Sequence, residues 1–169
     1  MSRAFTKEDD SLEIPIIPPR AALPPGTPNY VTPTGLEQLR QELAALETTR
    51  TAAEANRDND ADRTRQLTLL NGQLSALNDR IASARLVEPA AQPAREVRFG
   101  ARVTLRPVAG AGPERQFRIV GVDEADVAAG KIAFVAPIAR AVQGVRLGQR
   151  VTLQLGPKTV EVEVAGIEY

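Results

Sequence analysis

Three carboxylates alternate along one short run of this sequence, Asp58-Asn59-Asp60-Ala61-Asp62. Carboxylate oxygens suit hard cations, and Mg²⁺ needs only one or two of them from a protein when phosphates complete its shell. The chain contains no Cys and no His, which excludes zinc fingers, disulfides, thiol nucleophiles and imidazole catalysis. The three Asp residues are therefore candidates for metal-assisted chemistry. The alternative is a solvated turn, which short acidic side chains favour and which Arg57 and Arg63 can neutralise.

The residues on either side of this run predict two helices. Leucines recur at spacings of three and four from Leu36 to Leu46, and a second series runs from Leu67 through Leu77 to Ile81. Each series forms one narrow helical stripe, and the positions of the two stripes pair about residue 60. We therefore expect residues 33–86 to form an antiparallel helical hairpin with the acidic run at its tip. A single unbroken helix is the competing structure, but it would leave both stripes exposed.

Proline marks both ends of the predicted hairpin. Residues 1–31 hold six of the 13 prolines and show no steady apolar period, which predicts a disordered or extended leader. Thr32 and Pro33 suit the N-cap and the first helical position, while Thr34 and Glu37 offer a second, capping-box start. We place the hairpin at residues 32–87 and a linker at residues 88–95.

Beyond the linker the hydrophobic period changes to two. Apolar residues alternate with polar or small ones in a first strand, and similar strands are expected at 115–122, 131–136, 150–155 and 159–168. Residues 137–143 resemble one short helix, with Pro137 in its first turn. Residues 96–169 therefore predict a small antiparallel sheet with one helix, and the whole chain an α+β fold. The alternating core positions of the first strand are Val97, Phe99, Ala101, Val103 and Leu105.

Charge and hydropathy limit the classes of partner and the cellular location that we expect for this protein. The 21 basic and 21 acidic residues of the 169-residue chain cancel, so non-specific binding to nucleic acid through net charge is not expected. No apolar run approaches the roughly 20 residues that span a bilayer. The N-terminus has no apolar segment like that of a secretory signal, and we expect a cytoplasmic protein.

Five stretches follow one another along the chain: Asn29-Tyr30-Val31-Thr32-Pro33-Thr34-Gly35-Leu36, Val97-Arg98-Phe99-Gly100-Ala101-Arg102-Val103, Phe117-Arg118-Ile119-Val120-Gly121, Ala136-Pro137-Ile138-Ala139-Arg140-Ala141 and Ile167-Glu168-Tyr169. In this order, over about residues 29–169, they resemble the GreA/GreB family of bacterial transcript-cleavage and elongation factors. The resemblance implies an FKBP-like C-terminal domain that docks at the rim of the secondary channel of RNA polymerase, with the coiled coil entering that channel. We expect a monomer that touches nucleic acid only within the transcription complex.

The resemblance also suggests a role for the tip. In family members that promote cleavage, tip carboxylates help to hold a second Mg²⁺ at the polymerase active centre, and the polymerase then cuts backtracked RNA. Such a factor lends ligands to another enzyme and is not an enzyme itself. Here the family's spacing of tip carboxylates is altered, so Asp58, Asp60 and Asp62 are candidates by position only. The hairpin is about two heptads shorter than is typical, which reduces its reach by roughly 10 Å.

A second acidic cluster follows one of the predicted strands. The resemblance places this part of the chain near the polymerase-docking surface, and the alternative for the acidic residues is a polar turn. The docking candidates are Asp123, Glu124, Asp126, Pro137 and Arg140.

Three functions are compatible with the sequence. The first is a polymerase-binding regulator that stimulates transcript cleavage with its acidic tip. The second is a channel-occupying inhibitor or competitor without cleavage activity, which the short hairpin favours. The third is a general coiled-coil interaction module. The mirror pairing of the stripes argues against the third function, because it already buries most of the leucines within one chain.

Overall fold

Two helices of 23 residues each, α1 (Pro33–Ala55) and α2 (Asp60–Ala82), form the predicted hairpin. The computed structural model describes residues 14–109 and 112–169 of the chain. Leu39 and Leu77 are buried where the helices pack, and Leu43, Leu46 and Ile81 lie against them. At about 1.5 Å rise per residue, each helix is about 35 Å long. No helix of the described residues is long and apolar enough to span a membrane.

Side-chain caps set both helix starts. The Thr32 hydroxyl oxygen accepts a hydrogen bond from the Gly35 N–H at 2.9 Å, so the first of the two predicted helix starts is correct. The Asn59 side chain caps α2 by accepting from the N–H groups of Ala61 and Asp62, at 3.0 and 3.2 Å. The turn therefore comprises residues 56–59, earlier than predicted. Its centre lies between residues 57 and 58 instead of at 60, because Asn is a strong N-cap and the first turn of a helix favours carboxylates.

The end of the predicted leader belongs to the base of the hairpin. Strand β1 (Asn29–Val31) pairs in parallel with β2 (Ala84–Leu86), directly after α2. The Asn29 amide strengthens this contact by donating to the Arg80 carbonyl at 2.8 Å. Residues 1–13 of the leader lie outside the described residues. Within the predicted linker, Pro89–Ala91 forms one turn of 3₁₀ helix.

The C-terminal part is a five-stranded sheet with one short helix, which confirms the α+β class. The sheet order is β5-β4-β3-β7-β6, and all neighbouring pairs are antiparallel except β4–β5. The prediction of an antiparallel sheet is therefore wrong at one edge, and the sheet is mixed. The reason is that residues 121–130 turn the chain back and lay β5 beside β4 in the same direction. The elements are β3 (Arg102–Pro107), β4 (Arg115–Val120), β5 (Lys131–Ala133), α3 (Pro137–Val142), β6 (Arg150–Leu155) and β7 (Lys158–Glu168).

The first strand of the C-terminal part, β3, is shorter than the alternating run that predicts it, which begins at Val97. Val97 and Ala101 are fully buried as expected, yet β3 begins only at Arg102. Gly100 interrupts the extended chain with a φ of +88°, a conformation that glycine adopts without steric cost. Upstream of it, Val97 pairs with the segment after α3, since its N–H donates to the Val145 carbonyl at 2.9 Å. The pattern thus predicts the buried face correctly but not the strand boundary.

Candidate functional site

The three tip carboxylates are accessible at the free end of the hairpin. Asp58 is exposed in the turn, and its N–H donates to the Asn56 side-chain oxygen at 2.9 Å. The side chains of Asp60 and Asp62 are 84% and 68% exposed. Both lie in the first turn of α2, where the positive end of the helix dipole stabilises carboxylates. The tip therefore presents three exposed carboxylates to any partner that receives it.

Neighbouring arginines neutralise two of these carboxylates. Arg63 pairs with Asp60 at 2.8 Å and also donates to the Asn56 carbonyl at 3.0 Å, which ties the start of α2 to the end of α1. Arg65 lies 3.8 Å from Asp62, and the Asn59 amide donates to the other Asp62 oxygen at 2.6 Å. Each pair is solvent-exposed, so its strength is about 0–1 kcal/mol, and a metal could displace the arginine.

The tip cannot enclose a metal ion by itself. Asp60 and Asp62 are two positions apart on a helix, which turns their side chains about 200° from one another. Across residues 14–109 and 112–169, no three acidic side chains form a group that could hold a metal. A metal ion at the tip would therefore need most of its ligands from another molecule.

The second acidic cluster lies at the contact between the hairpin and the C-terminal sheet. Asp123 is 11% exposed at its side chain and accepts from the Arg20 guanidinium at 2.8 and 3.1 Å. Arg80 of α2 adds an ion pair at 3.1 Å to the other Asp123 oxygen, without hydrogen-bond geometry. Arg20 also makes two hydrogen bonds to Glu42 of α1, at 2.8 and 3.0 Å. These bonds to Glu42 raise the pKa of Arg20 above its ordinary value, so its charge is fixed.

Glu124 contributes a buried carboxylate to the same contact. Its side chain is 4% exposed, lies 3.2 Å from the Lys131 ammonium and accepts a hydrogen bond from the Thr32 hydroxyl. Two glycines permit the close approach: a Cβ at Gly35 would lie 2.7 Å from a Glu124 oxygen, and one at Gly121 would lie 2.8 Å from the Tyr30 carbonyl oxygen. We call this set the hairpin–domain joint: Thr32, Gly35, Gly121, Asp123 and Glu124.

The five docking candidates thus fall into two groups, two that contact their own chain and three that are exposed. Asp123 and Glu124 belong to the hairpin–domain joint and are turned toward groups of their own chain. Asp126 is exposed and accepts from the N–H groups of Ala128 and Ala129 at 3.1 and 3.3 Å, as a turn residue does. Pro137 and Arg140 are exposed at the start and the end of α3. The last three candidates are available to a partner, and their docking role stays a prediction.

Sequence reasoning missed the residues that join the parts. Arg20 contacts both Glu42 and Asp123, the latter 103 positions away in the chain. The sequence indicates a special role for Arg20 only weakly, because it is the only basic residue between positions 8 and 39. A second indication in the sequence is Gly72 within α2. Glycine is unfavourable inside a helix, so its presence there suggests that another part of the chain packs closely against this position.

An exposed acidic tip on a helical hairpin, joined at its base to a small β domain, defines a two-part protein whose exposed tip carboxylates lie far from its core. Residues 92–169 match a family model described as the C-terminal part of transcription elongation factor GreA/GreB. Transcription elongation factor GreA of Thermodesulfovibrio yellowstonii is 31% identical over 153 residues, covering 82% of this chain and 96% of that protein. Transcription elongation factor GreB of Neisseria meningitidis is 31% identical over 157 residues, covering 85% and 95%.

The chain belongs to the GreA/GreB family of transcription elongation factors. A solved structure of Thermus aquaticus Gfh1 is also similar, at 21% identity and a TM-score of 0.42, covering 83% of this chain and 97% of that one.

Proposed function

We propose that this protein binds RNA polymerase and regulates elongation through the secondary channel. The C-terminal domain docks at the channel rim through an exposed surface that includes Asp126, Pro137 and Arg140, and the hairpin enters the channel. The observation that carries the proposal is the exposed acidic tip at the end of helices about 35 Å long. Family membership supplies the partner class.

In the first version of this function, the tip stimulates cleavage of backtracked RNA. Hydrolysis of a phosphodiester benefits from two metal ions that stabilise the attacking and leaving oxygens. A tip carboxylate would serve as one ligand of the second Mg²⁺, and the remaining ligands would come from the RNA phosphates and the polymerase. The protein then supplies a ligand and the polymerase performs the reaction. One exposed carboxylate suffices for this role, because Mg²⁺ takes only one or two from a protein.

In the second version, the hairpin occupies the channel without stimulating cleavage. Two observations favour it: Asp60 and Asp62 face different sides of α2, and each lies beside an arginine. A protein of this kind would exclude longer relatives from the same channel and so inhibit their activity.

The deciding experiment adds the purified protein to stalled, backtracked elongation complexes with Mg²⁺ and follows RNA shortening. The test variant is Asp58→Ala/Asp60→Ala/Asp62→Ala. The matched control removes three exposed carboxylates from the shaft of the hairpin, as Glu37→Ala/Glu47→Ala/Asp79→Ala, so both variants change the net charge equally.

Cleavage that disappears in the tip variant and persists in the control supports the first version. No cleavage by the unaltered protein, together with displacement of a long-hairpin relative, supports the second. Failure to bind polymerase contradicts both. The coiled-coil interaction module then becomes the leading alternative, and it is tested by measuring self-association.

A further inference from the structure

One short segment before β1 contacts both the hairpin and the C-terminal domain, and we call residues 17–21 the strap. Its central residue is Arg20, whose guanidinium donates to Glu42 of α1 at 2.8 and 3.0 Å. The same guanidinium donates to Asp123 of the C-terminal domain at 2.8 and 3.1 Å. Arginine suits such a double contact, because its planar fork of N–H donors can serve two carboxylates at once. One side chain therefore connects α1 to the C-terminal domain.

The charges around Arg20 form a neutral set. Arg80 of α2 lies 3.1 Å from the second Asp123 oxygen, so two arginines face the two carboxylates of Glu42 and Asp123. Arg80 also donates to the Ala21 carbonyl at 2.7 Å, which ties the strap to α2. The side chains of Arg20, Arg80 and Asp123 are between 11% and 18% exposed. Solvent therefore screens these pairs less than it screens the exposed pairs at the tip.

At the other end of the strap, Ile17 packs against Gly72 of α2. A Cβ at Gly72 would lie 2.0 Å from the Ile17 Cδ1 atom and 2.8 Å from its Cγ1 atom, so the isoleucine occupies space that any other residue in α2 would fill. Pro18 and Pro19 connect this contact to Arg20. Because proline fixes φ near −65°, the connection is stiff. The strap thus has an apolar contact and a charged contact that are held at a nearly constant separation.

The position of Glu42 on α1 determines how strongly Arg20 can restrain the tip. The hairpin–domain joint contacts α1 at its N-cap, Thr32. Glu42 lies about 15 Å along the helix from Thr32, and the end of α1 at Ala55 lies about 35 Å from it. A tilt of the hairpin about the N-cap that shifts Glu42 by about 1 Å therefore shifts the tip by roughly 2.3 Å. Metal–ligand distances hold to within about 0.2 Å, so a tilt of this size decides whether a tip carboxylate reaches an ion.

We propose that Arg20 is a positioning residue, which fixes the direction of the hairpin relative to the C-terminal domain and so sets where the tip lies. The strap acts as a brace, since it contacts the hairpin above the joint and the domain beside it. The brace is a property of the free protein. Its consequence for the polymerase rests on the proposed function, because a domain docked at the channel rim directs the tip only if the hairpin does not tilt on it.

The brace is tested on the free protein, whose sequence contains no native Cys, by measuring distances between pairs of spin labels at exposed positions. The first pair, Arg57→Cys with Thr152→Cys, reports the tip relative to the C-terminal domain. The second pair, Gln38→Cys with Arg57→Cys, reports the length of the hairpin itself. In Arg20→Ala the first distance distribution should widen by about 5 Å, since a shift of about 2 Å at Glu42 is magnified along the helix. The second distribution should stay unchanged.

Matched controls separate the brace from general effects of substitution. Arg40→Ala removes an arginine from an exposed position of α1 and should change neither distribution. Ile17→Ala empties the contact with Gly72 without altering a charge, so it should also widen the first distribution. Ile16→Ala should not, because Ile16 is 90% exposed. An unchanged first distribution in Arg20→Ala or Ile17→Ala would overturn the proposal, as would a second distribution that widens as much as the first.

The consequence for the polymerase is tested in the backtracked elongation complex, with an iron chelate attached at Arg57→Cys. With Arg20→Ala added, the protein should still bind polymerase, while its cuts near the RNA 3′ end should weaken several-fold and spread over more nucleotides. Undiminished cuts at the same positions would refute the positioning role of Arg20. If the unaltered protein does not bind polymerase, or binds and gives no cuts, the channel function is contradicted, and the label distances alone then decide whether the brace exists.

Discussion

Replacing Glu124 by alanine tests whether the hairpin–domain joint holds the two parts of the molecule together. The carboxylate is 4% exposed, accepts from the Thr32 hydroxyl and lies 3.2 Å from Lys131, whose side chain is 30% exposed. A hydrogen bond to a charged group contributes about 1.5–3 kcal/mol, and a partly exposed ion pair about 0–1 kcal/mol. The free energy of unfolding should therefore fall by about 3 kcal/mol in Glu124→Ala.

The assay is urea denaturation followed by circular dichroism, with two variants for comparison. Glu124→Gln keeps one hydrogen bond and loses the charge, so we expect a smaller loss, about 1–2 kcal/mol. Glu161→Ala removes an exposed carboxylate from the C-terminal sheet and should change the free energy of unfolding by less than about 0.5 kcal/mol. A loss below about 1 kcal/mol in Glu124→Ala, or equal losses for alanine and glutamine, would refute the assigned role of the carboxylate.

Three further predictions concern the joint, the tip and the C-terminus. Gly121→Ala places a Cβ 2.8 Å from the Tyr30 carbonyl oxygen, a backbone atom, so it should destabilise the protein by about 1–3 kcal/mol and change the distance between labels on the two parts. Asn59→Ala removes the α2 cap and should cost about 1 kcal/mol, measured as faster amide exchange in the first turn of α2. Burial raises the pKa of Tyr169, whose hydroxyl donates to the Glu96 carbonyl at 2.6 Å. The folded state therefore binds more protons than the unfolded state above pH 10, so stability falls as the pH rises through that range, and Tyr169→Phe should remove this part of the decline in urea titrations.

The periodic parts of this fold could be predicted from the sequence, because a period reports local geometry and a buried face. The leucine stripes predict the hairpin, and the alternation around Val103 predicts the sheet side that forms the core. The boundaries of helices and strands depend on single residues, and a hydrophobic period contains no information about them. Asn59 caps α2, so the turn lies earlier in the chain than the leucine stripes predict. Gly100 has a positive φ, so the extended chain is interrupted before β3 begins.

The hairpin–domain joint and the contacts of residues 14–21 could not be predicted, since they connect positions far apart in the chain. Asp123 and Glu124 follow a strand, and short acidic residues in such a place favour a polar turn. Only the fold brings Arg20 and Thr32 to them. The tip carboxylates lie near the apex, as the sequence predicts. What they bind stays a prediction, because neither spacing nor exposure identifies a ligand that arrives with another molecule.

The parallel pairing of β1 with β2 has a consequence for how this family can change. The chain approaches and leaves the hairpin at adjacent positions, and the two helices between them have equal lengths. Equal numbers of turns can then be removed from both helices while the paired base, the joint and the C-terminal sheet keep their contacts. Arm length is thus a modular property, which evolution can vary by deletion or duplication without redesigning the remainder of the protein.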